Sequence, residues 1–256
     1  MSKHIRIPAD ETNPFERHSI QQLSPSSLAL YRHSPALWCF RYLFGIKDGA
    51  GAYAWRGRAV EAGVDAIVMD AADDHQAIER AKHVFETEAQ GEIAPEIDKE
   101  RRVIPYMVRQ AGAVFRQLGK PEARQHKVAI WLDEIEVPIV GYCDYVYSRF
   151  CLDLKTTHAL PSQPRPDDAA QAVFYADALA RAPGPVYASQ RRYSVYPHRE
   201  IDIEDARRVL RQSAHAIRRL LAATENREQA AALFVPDVHN YRWTYISREA
   251  AKRVWK

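Results

Sequence analysis

The sequence has few cysteines and no long apolar run, and each shortage excludes a class of protein. Its three cysteines among 256 residues, Cys39, Cys143 and Cys151, share no CxxC spacing, so we expect neither a disulfide framework nor a thiolate metal site. We predict that they are buried core residues in a reducing compartment. No stretch approaches the roughly 18 uninterrupted apolar residues of a membrane-spanning helix. Because the N-terminus is charged and lacks an apolar core, we expect a cytoplasmic protein without a membrane anchor.

The motifs of several common enzyme classes are also absent. No GxxxxGK[ST] loop is present, so the chain is not expected to hydrolyse ATP by itself. The histidines form no HExxH motif, and no GxSxG elbow supports a serine nucleophile. These absences exclude the commonest zinc protease and serine hydrolase patterns.

The composition is that of an ordinary globular protein, with 46% hydrophobic and 27% charged residues, but the charge is uneven. From Arg181 onward there are 15 basic and 8 acidic residues, whereas the preceding 180 residues carry 21 and 25. A locally basic surface suits a polyanion such as nucleic acid, because lysine and arginine neutralise phosphates. A solvated helix face explains the same charges equally well.

The chain contains no internal repeat, low-complexity tract or Gly/Ser linker, which indicates one domain. We predict a flexible N-terminal arm over residues 1–22 and a single domain over residues 23–256.

Apolar spacing in the first half predicts a series of helices. Ser24 followed by Pro25 is typical of a helix start, because serine caps the first turn and proline fits its first position. Further helices are predicted from Ser34-Pro35 and over 54–72, 73–89 and 96–118.

Valine, isoleucine, tyrosine and phenylalanine become frequent after Pro121, which predicts strands. We expect antiparallel strands over 126–132, 134–147 and 150–156, then a helix over 167–181, a strand over 186–196 and a helix over 203–223. This order indicates an α/β (α+β) fold with a small central sheet flanked by helices and a helical N-terminal half.

One predicted strand carries charge in an otherwise apolar segment. In residues 150–156, the two-residue alternation of a strand places Asp153 and Lys155 on one face and the apolar side chains on the other. Such charges cost free energy unless they are paired or open to a cleft. An ion pair at a sheet edge and a functional site both explain the pattern.

A second carboxylate is expected nearby, because Asp144 lies in the preceding strand and should face Asp153 across the hairpin. Two carboxylates on adjacent strands can hold a hard divalent cation such as Mg²⁺ or Mn²⁺. The ammonium group of Lys155 could bind the attacking water and offset charge on a phosphoryl group. Metal and lysine together would meet the requirements of phosphodiester hydrolysis.

The ordered series of these motifs resembles one known family. Gly141-x-x-Asp144, Asp153-x-Lys155 and Gln171-Ala-Val-Phe-Tyr175 resemble the PD-(D/E)XK nuclease superfamily, specifically its RecB-type and phage exonuclease branches. The opening segments Ser24-Pro-Ser-Ser-Leu and Trp38-Cys-Phe-Arg-Tyr42 are similar to the first helices of that branch. The resemblance spans about residues 24–196 and implies a restriction-endonuclease-like core with a mixed sheet.

The resemblance also implies roles for individual residues. It makes Asp144, Asp153 and Lys155 catalytic, with Gln171 and Tyr175 positioning the lysine and the DNA backbone.

The implied metal ligands are Asp144, Asp153, the carbonyl of Leu154, and Glu61, which stands where RecB-type members carry a histidine. A surface position on its helix remains the alternative for Glu61. An iron–sulfur cluster is not expected, because Ser34 stands where many relatives have the first cluster cysteine and no cysteine follows Cys151.

The function expected from this resemblance is a Mg²⁺-dependent DNA exonuclease of phage or bacterial recombination and repair. A structure-selective endonuclease and a non-catalytic DNA-binding or assembly subunit on a decayed nuclease fold are the alternatives. The sequence leaves open exo or endo action, polarity, DNA or RNA, strandedness, oligomeric state, and whether a recombinase or single-strand annealing protein is a partner.

Arginines near the predicted site are expected to contact the DNA backbone, because their planar fork binds phosphate oxygens bidentately. The basic helix over 203–223 is expected to face solvent instead. Because Gly57 has no side chain, the backbone there could approach a phosphate closely, or the helix could pack closely against a neighbour. The predicted DNA-binding residues are Arg32, Arg41, Arg56 and Arg58.

Overall fold

A run of helices fills the first half of the chain, as the apolar spacing predicts. The computed structural model describes residues 13–46, 49, 51–92, 94–240 and 242–255. A π-helical turn, Cys39–Leu43, and a 3₁₀ turn, His198–Glu200, accompany the α-helices. The α-helices are α1 (Pro14–Arg17), α2 (Pro25–His33), α3 (Pro35–Trp38), α4 (Ala52–Asp70), α5 (Asp74–Ala89), α6 (Pro95–Leu118), α7 (Pro166–Leu179), α8 (Ile203–Ala222), α9 (Arg227–Ala232) and α10 (Tyr245–Val254).

Side-chain caps determine where two of these helices begin. The hydroxyl of Ser24 accepts a hydrogen bond from the backbone N–H of Ser27 (3.1 Å) at the start of α2. Asp73 caps α5 in the same way, through the backbone N–H of Gln76 (2.9 Å). Both helices therefore start where the sequence predicts.

The described strands form one mixed sheet in the order β1-β2-β3-β4-β5. Strand β2 pairs antiparallel with β3, β3 parallel with β4, and β4 antiparallel with β5. Helix α7 connects β3 to β4, because two neighbouring parallel strands need a crossover connection. The predicted α+β architecture, with a small mixed sheet and a helical N-terminal half, is confirmed. The strands are β1 (Ala123–Ile130), β2 (Ile139–Val146), β3 (Phe150–Thr156), β4 (Ala182–Ala188) and β5 (Tyr193–Val195).

The predicted strand over 186–196 is wrong, because a tight turn divides it into β4 and β5. The hydroxyl of Ser189 accepts hydrogen bonds from the backbone N–H groups of Arg191 (3.4 Å) and Arg192 (3.2 Å). It also donates to the carbonyl of Arg192 (2.7 Å). These local bonds turn the chain where the apolar pattern suggested continued extension.

The chain divides into two compact units, which we call the terminal unit and the central unit. The terminal unit comprises Met1–Asp48, Ala129–Val140 and Arg208–Lys256, and the central unit comprises Gly49–Val128 and Gly141–Arg207. In the central unit, α4, α5 and α6 share one apolar core with side chains of β2, β3 and β4. This division does not test the prediction that residues 23–256 form a single domain, which therefore stays a prediction.

The N-terminal arm predicted over residues 1–22 falls partly outside the described residues, which begin at residue 13. The described part is anchored in the terminal unit, because Phe15 is fully buried and His18 Nε2 lies 2.9 Å from the carbonyl oxygen of Thr224. Residues 13–22 therefore differ from the loose arm that the sequence suggested.

The state of the cysteines and the character of the helices bear on the predictions of buried thiols and of no membrane-spanning helix. Cys39, Cys143 and Cys151 are all free and buried, and their burial was predicted. Within the described ranges, no helix combines the length and the apolar character needed to cross a bilayer.

Candidate active site

Two carboxylates lie on neighbouring strands of the central unit. The antiparallel register pairs Tyr145 with Leu152, and one further step along it places Asp144 opposite Asp153. The backbone N–H of Leu154 donates a hydrogen bond to Asp144 Oδ2 (2.8 Å), so this carboxylate is held directly by β3. Asp153 is almost completely buried, with 2% of its surface exposed. The hairpin therefore brings together the two acidic residues that the sequence singled out.

Lys155 connects this pair of carboxylates to α7. Its Nζ lies 2.7 Å from Asp153 Oδ2 and donates a hydrogen bond to Gln171 Oε1 (2.8 Å). The amide nitrogen of Gln171 in turn donates to the hydroxyl of Tyr175 (2.9 Å). Gln171 and Tyr175 are four residues apart, so they share one face of α7. All five residues expected to be catalytic therefore form one continuous cluster.

Gly141 allows α7 to pack this closely on β2. A Cβ atom at residue 141 would lie 2.8 Å from Phe174 Cε1 and 2.9 Å from Tyr175 Cε1. Both rings are buried, so neither can easily move away. The glycine of the Gly-x-x-Asp motif is therefore explained by the space that Tyr175 needs.

Replacing Gly141 by alanine is expected to lower the free energy of unfolding by about 1–3 kcal/mol, because overpacking forces buried rings out of place. Gly57→Ala is the matched control: its Cβ would meet only Thr156 Oγ1, at 3.8 Å, and alanine favours the helix by about 0.5–1 kcal/mol. Denaturant unfolding of both variants measures the difference. Equal stabilities would contradict the packing explanation.

Glu61 reaches the cluster from α4 through a residue that the sequence analysis missed. The amide nitrogen of Gln125, on β1, donates hydrogen bonds to Glu61 Oε1 and to Asp144 Oδ1 (3.0 Å). Gln125 has a positive φ of 44°, which is uncommon for a residue other than glycine. The sequence carried no signal for it, because the predicted strand started one residue later and Gln125 belongs to none of the motifs.

Burial and mutual repulsion act on the carboxylates. Burial raises the pKa of Asp144 well above its ordinary value, and the charges of Asp153 and Glu61 raise it further. Burial likewise raises the pKa of Glu61, together with the charge of Asp65. The pKa of Asp153 is raised by burial and partly restored by the ammonium group of Lys155.

Burial has the opposite effect on the pKa of the lysine. Burial alone would lower the pKa of Lys155, but the negative charges of Asp153, Asp168 and Asp144 more than offset it, so the pKa is raised. The raised pKa favours the ammonium form of Lys155.

Asp168 is a further acidic residue near the cluster. It lies on α7 one turn before Gln171, and its Oδ2 accepts a hydrogen bond from the hydroxyl of Tyr187 (2.6 Å). Its negative charge raises the pKa of both Asp153 and Lys155. Its position was not predicted, because the contact depends on how α7 returns over β4.

The oxygen-rich cluster suits a hard divalent cation. Within the described ranges, no three His, Cys, Asp or Glu side chains are arranged as a metal site on their own. Mg²⁺ does not require such a cage, because it commonly binds through one or two carboxylates and keeps several waters. Asp144 and Asp153 supply those carboxylates, and a cation would relieve the repulsion that raises the pKa of Asp144. The residues present therefore fit Mg²⁺ or a similar ion.

Arg56 does not lie where the sequence analysis expected a DNA contact. It is only 4% exposed, and its guanidinium group donates to Glu100, to the Thr156 hydroxyl (3.1 Å) and to the Thr156 carbonyl (3.1 Å). His158 Nε2 completes the group at 2.8 Å from Glu100 Oε1. These partners disfavour a phosphate contact, because their bonds would have to break first.

The other three predicted DNA-binding arginines are placed differently. Arg58 is exposed on α4 and forms a bidentate ion pair with Glu88, at 2.6 and 2.8 Å. Arg32 on α2 and Arg41 in the π-helical turn belong to the terminal unit and are partly buried.

Comparisons with known proteins identify the family. A crystal structure from Eubacterium rectale, named "Putative exonuclease", has a similar fold with a TM-score of 0.55 and 11% sequence identity. The similarity covers 96% of this chain and 94% of that one. No curated protein sequence matches. The family model of the PD-(D/E)XK nuclease superfamily matches residues 22–241, and the chain therefore belongs to this superfamily.

Proposed function

We propose that this chain is a metal-dependent DNA exonuclease that hydrolyses phosphodiester bonds. The observation that carries the proposal is the position of the Lys155 ammonium group. It is held by Asp153 and Gln171 and lies next to the carboxylates of Asp144 and Asp153. Phosphodiester hydrolysis develops negative charge on the phosphoryl group. A fixed positive charge beside oxygen ligands for a divalent ion can stabilise that charge.

Asp144, Asp153 and the carbonyl of Leu154 would hold Mg²⁺ or Mn²⁺, with Glu61 acting directly or through a water molecule. The bound ion would supply Lewis acidity and lower the pKa of a coordinated water. Gln125 restrains Glu61 and Asp144 through one amide group, so it would limit the movement of both carboxylates.

The chain's own residues would orient the reacting groups. Lys155 has three N–H donors; it forms an ion pair with Asp153 and donates one hydrogen bond to Gln171. The remaining donor can bind the attacking water or a phosphoryl oxygen. Tyr175 accepts from the Gln171 amide, which directs the amide oxygen toward the lysine. We therefore propose Gln171 and Tyr175 as positioning residues.

Metal binding provides a direct test of the assigned ligands. We expect Asp153→Asn to lower the affinity for Mg²⁺ or Mn²⁺ at least tenfold, about 1.4 kcal/mol, because an amide oxygen carries no net charge. The measurement is calorimetric titration of metal into each protein. Asp70→Asn, at an exposed carboxylate near the end of α4, serves as the control. Undiminished affinity in Asp153→Asn would remove the ligand assignment.

Linear and covalently closed circular substrates separate the possible activities. With Mg²⁺ present, an exonuclease degrades linear DNA and leaves the closed circle intact. Cleavage of the circle would favour a structure-selective endonuclease, and binding without cleavage would favour a non-catalytic DNA-binding subunit. Matched RNA strands, and single-stranded and double-stranded DNA labelled at either end, would identify the substrate and the polarity.

The biological setting that we propose is DNA recombination or repair in a phage or a bacterium, in the cytoplasm. It is supported by the resemblance to RecB-type and phage exonucleases. In that setting, a recombinase or a single-strand annealing protein is the partner to test by copurification.

A further inference from the structure

The turn between β4 and β5 borders a cleft that no part of the proposed site uses. The cleft has a volume of about 550 Å³, and its lining includes His158, Ser189, Gln190, Arg191 and Arg192. We call it the arginine cleft. It lies entirely within the central unit.

The arginine cleft lies at the carboxyl ends of the parallel strands β3 and β4, of which β3 carries Lys155. The register pairs Lys155 with Tyr187 and Thr156 with Ala188, and the N–H of Thr157 donates to the carbonyl of Ala188 (3.0 Å). In the sequence, His158 follows Thr157 and Ser189 follows Ala188, and both His158 and Ser189 line the cleft. At about 3.3 Å per residue, the cleft begins roughly 7–10 Å beyond Lys155 along the strands.

The charge of the arginine cleft is not neutralised internally. Arg191 and Arg192 are exposed, and neither guanidinium group has an ion-pair partner in the part of the chain that the structure describes. Arg58 and Arg207, by contrast, are paired with the carboxylates of Glu88 and Asp177. The pairing of those arginines leaves less of their charge for an external anion.

The turn that presents these arginines is well ordered by hydrogen bonds. Besides its hydroxyl contacts, Ser189 donates its backbone N–H to the carbonyl of Arg192 (2.9 Å). His158, which also lines the cleft, lies within hydrogen-bond distance of Glu100. A nearby cation, Arg165, donates to the hydroxyl of Thr157, immediately before His158. The backbone of the turn is therefore already ordered, and the ordering cost of binding an anion would fall mainly on the two arginine side chains.

We propose that the arginine cleft binds backbone phosphates of the nucleic-acid strand next to the phosphate that is cleaved. This inference rests on the proposed nuclease function and adds the path of the substrate. Two arginine forks bind phosphate oxygens without reading bases, so the contact is independent of sequence. It adds Arg191 and Arg192 to the arginines for which the sequence predicts contacts with the DNA backbone.

The test compares two double variants that remove the same charge. One is Arg191→Ala with Arg192→Ala, and the control is Arg116→Ala with Arg207→Ala, which removes two arginines that are paired with Asp74 and Asp177. Binding of a fluorescent single-stranded oligonucleotide is measured by anisotropy between 50 and 200 mM salt. Every protein also carries Lys155→Ala to prevent cleavage, and thermal unfolding checks that the variants are folded.

Removing one arginine–phosphate interaction should reduce the slope of log K against log[salt] by about 0.7, so the slope of the cleft variant should fall by about 1.4. The control should keep the parent slope, and Arg191→Lys with Arg192→Lys should retain most of it. In proteins with Lys155 restored, the cleft variant should need about tenfold more DNA for half-maximal rate, with kcat within about twofold.

A parent-like salt slope in the folded cleft variant would overturn the proposed role of the arginine cleft and leave the nuclease proposal intact. A loss of kcat at an unchanged DNA concentration for half-maximal rate would do the same. Failure of the parent protein itself to bind or cleave nucleic acid would overturn the proposed function as well. The two failures are therefore distinguishable.

Discussion

Replacing Lys155 by alanine is expected to lower the rate of DNA cleavage by about 10²–10³-fold while leaving DNA affinity within about threefold. That loss is the size found when one preorganised electrostatic donor is removed from an active site. Binding should persist, because one ammonium group is a small part of the backbone contacts. Single-turnover cleavage and anisotropy titration of the same labelled DNA measure the two quantities.

Lys82→Ala is a suitable control for this prediction, because Lys82 is an exposed lysine paired with Glu79 on α5. It should cleave DNA at the parent rate. Lys155→Ala turnover near that of the parent would move catalysis to another residue. Loss of binding together with cleavage would indicate that the lysine serves mainly to hold DNA.

Replacing Glu100 by alanine is expected to lower the free energy of unfolding by about 3–5 kcal/mol, because the Arg56 guanidinium would stay buried without its counter-ion. The two side chains are 5% and 1% exposed, so water cannot replace the missing partner without rearrangement. Chemical denaturation of the parent and the variant measures the effect. The matched control is Glu88→Ala, which breaks the exposed Arg58–Glu88 pair and should cost about 0–1 kcal/mol.

Arg56→Ala separates a structural role from the DNA contact that the sequence suggested. A structural role predicts a large loss of stability, because Glu100 would then be buried without its cation and Thr156 would lose two donors. A DNA contact predicts weaker binding at nearly unchanged stability. The second result would restore Arg56 to the substrate-binding surface.

The acidic pair, the lysine and the glutamine–tyrosine pair could be predicted because their relations are local. Asp153 and Lys155 are two residues apart on a strand, and Gln171 and Tyr175 are four apart on a helix, so the backbone period alone sets each pair on one face. Asp144 and Asp153 belong to consecutive antiparallel strands, whose short connection limits the possible register. The small sheet and the helical first half follow from apolar periodicity in the same way, whereas its mixed strand order was implied by the family resemblance.

The partners of long, flexible side chains could not be predicted in this way. Arg56 and Arg58 look alike in the sequence, yet one is buried against Glu100 and the other is exposed beside Glu88. Their partners are 44 and 30 residues away, on other helices. The interpretation of Arg56 as a DNA contact was disfavoured for this reason, since charge alone does not indicate which face an arginine occupies.

The sequence by itself therefore determined the face of the element on which each motif pair lies, because this depends on backbone periods over a few residues, while the motif series was identified by its resemblance to the family. Only the tertiary structure decided that Gln125 joins Glu61 to Asp144, over separations of 64 and 19 residues, and that Gly141 makes room for Tyr175. It also left the charges of Arg191 and Arg192 without internal partners among the described residues. Such contacts depend on how helices and strands pack, and packing is set by the whole core rather than by neighbouring residues.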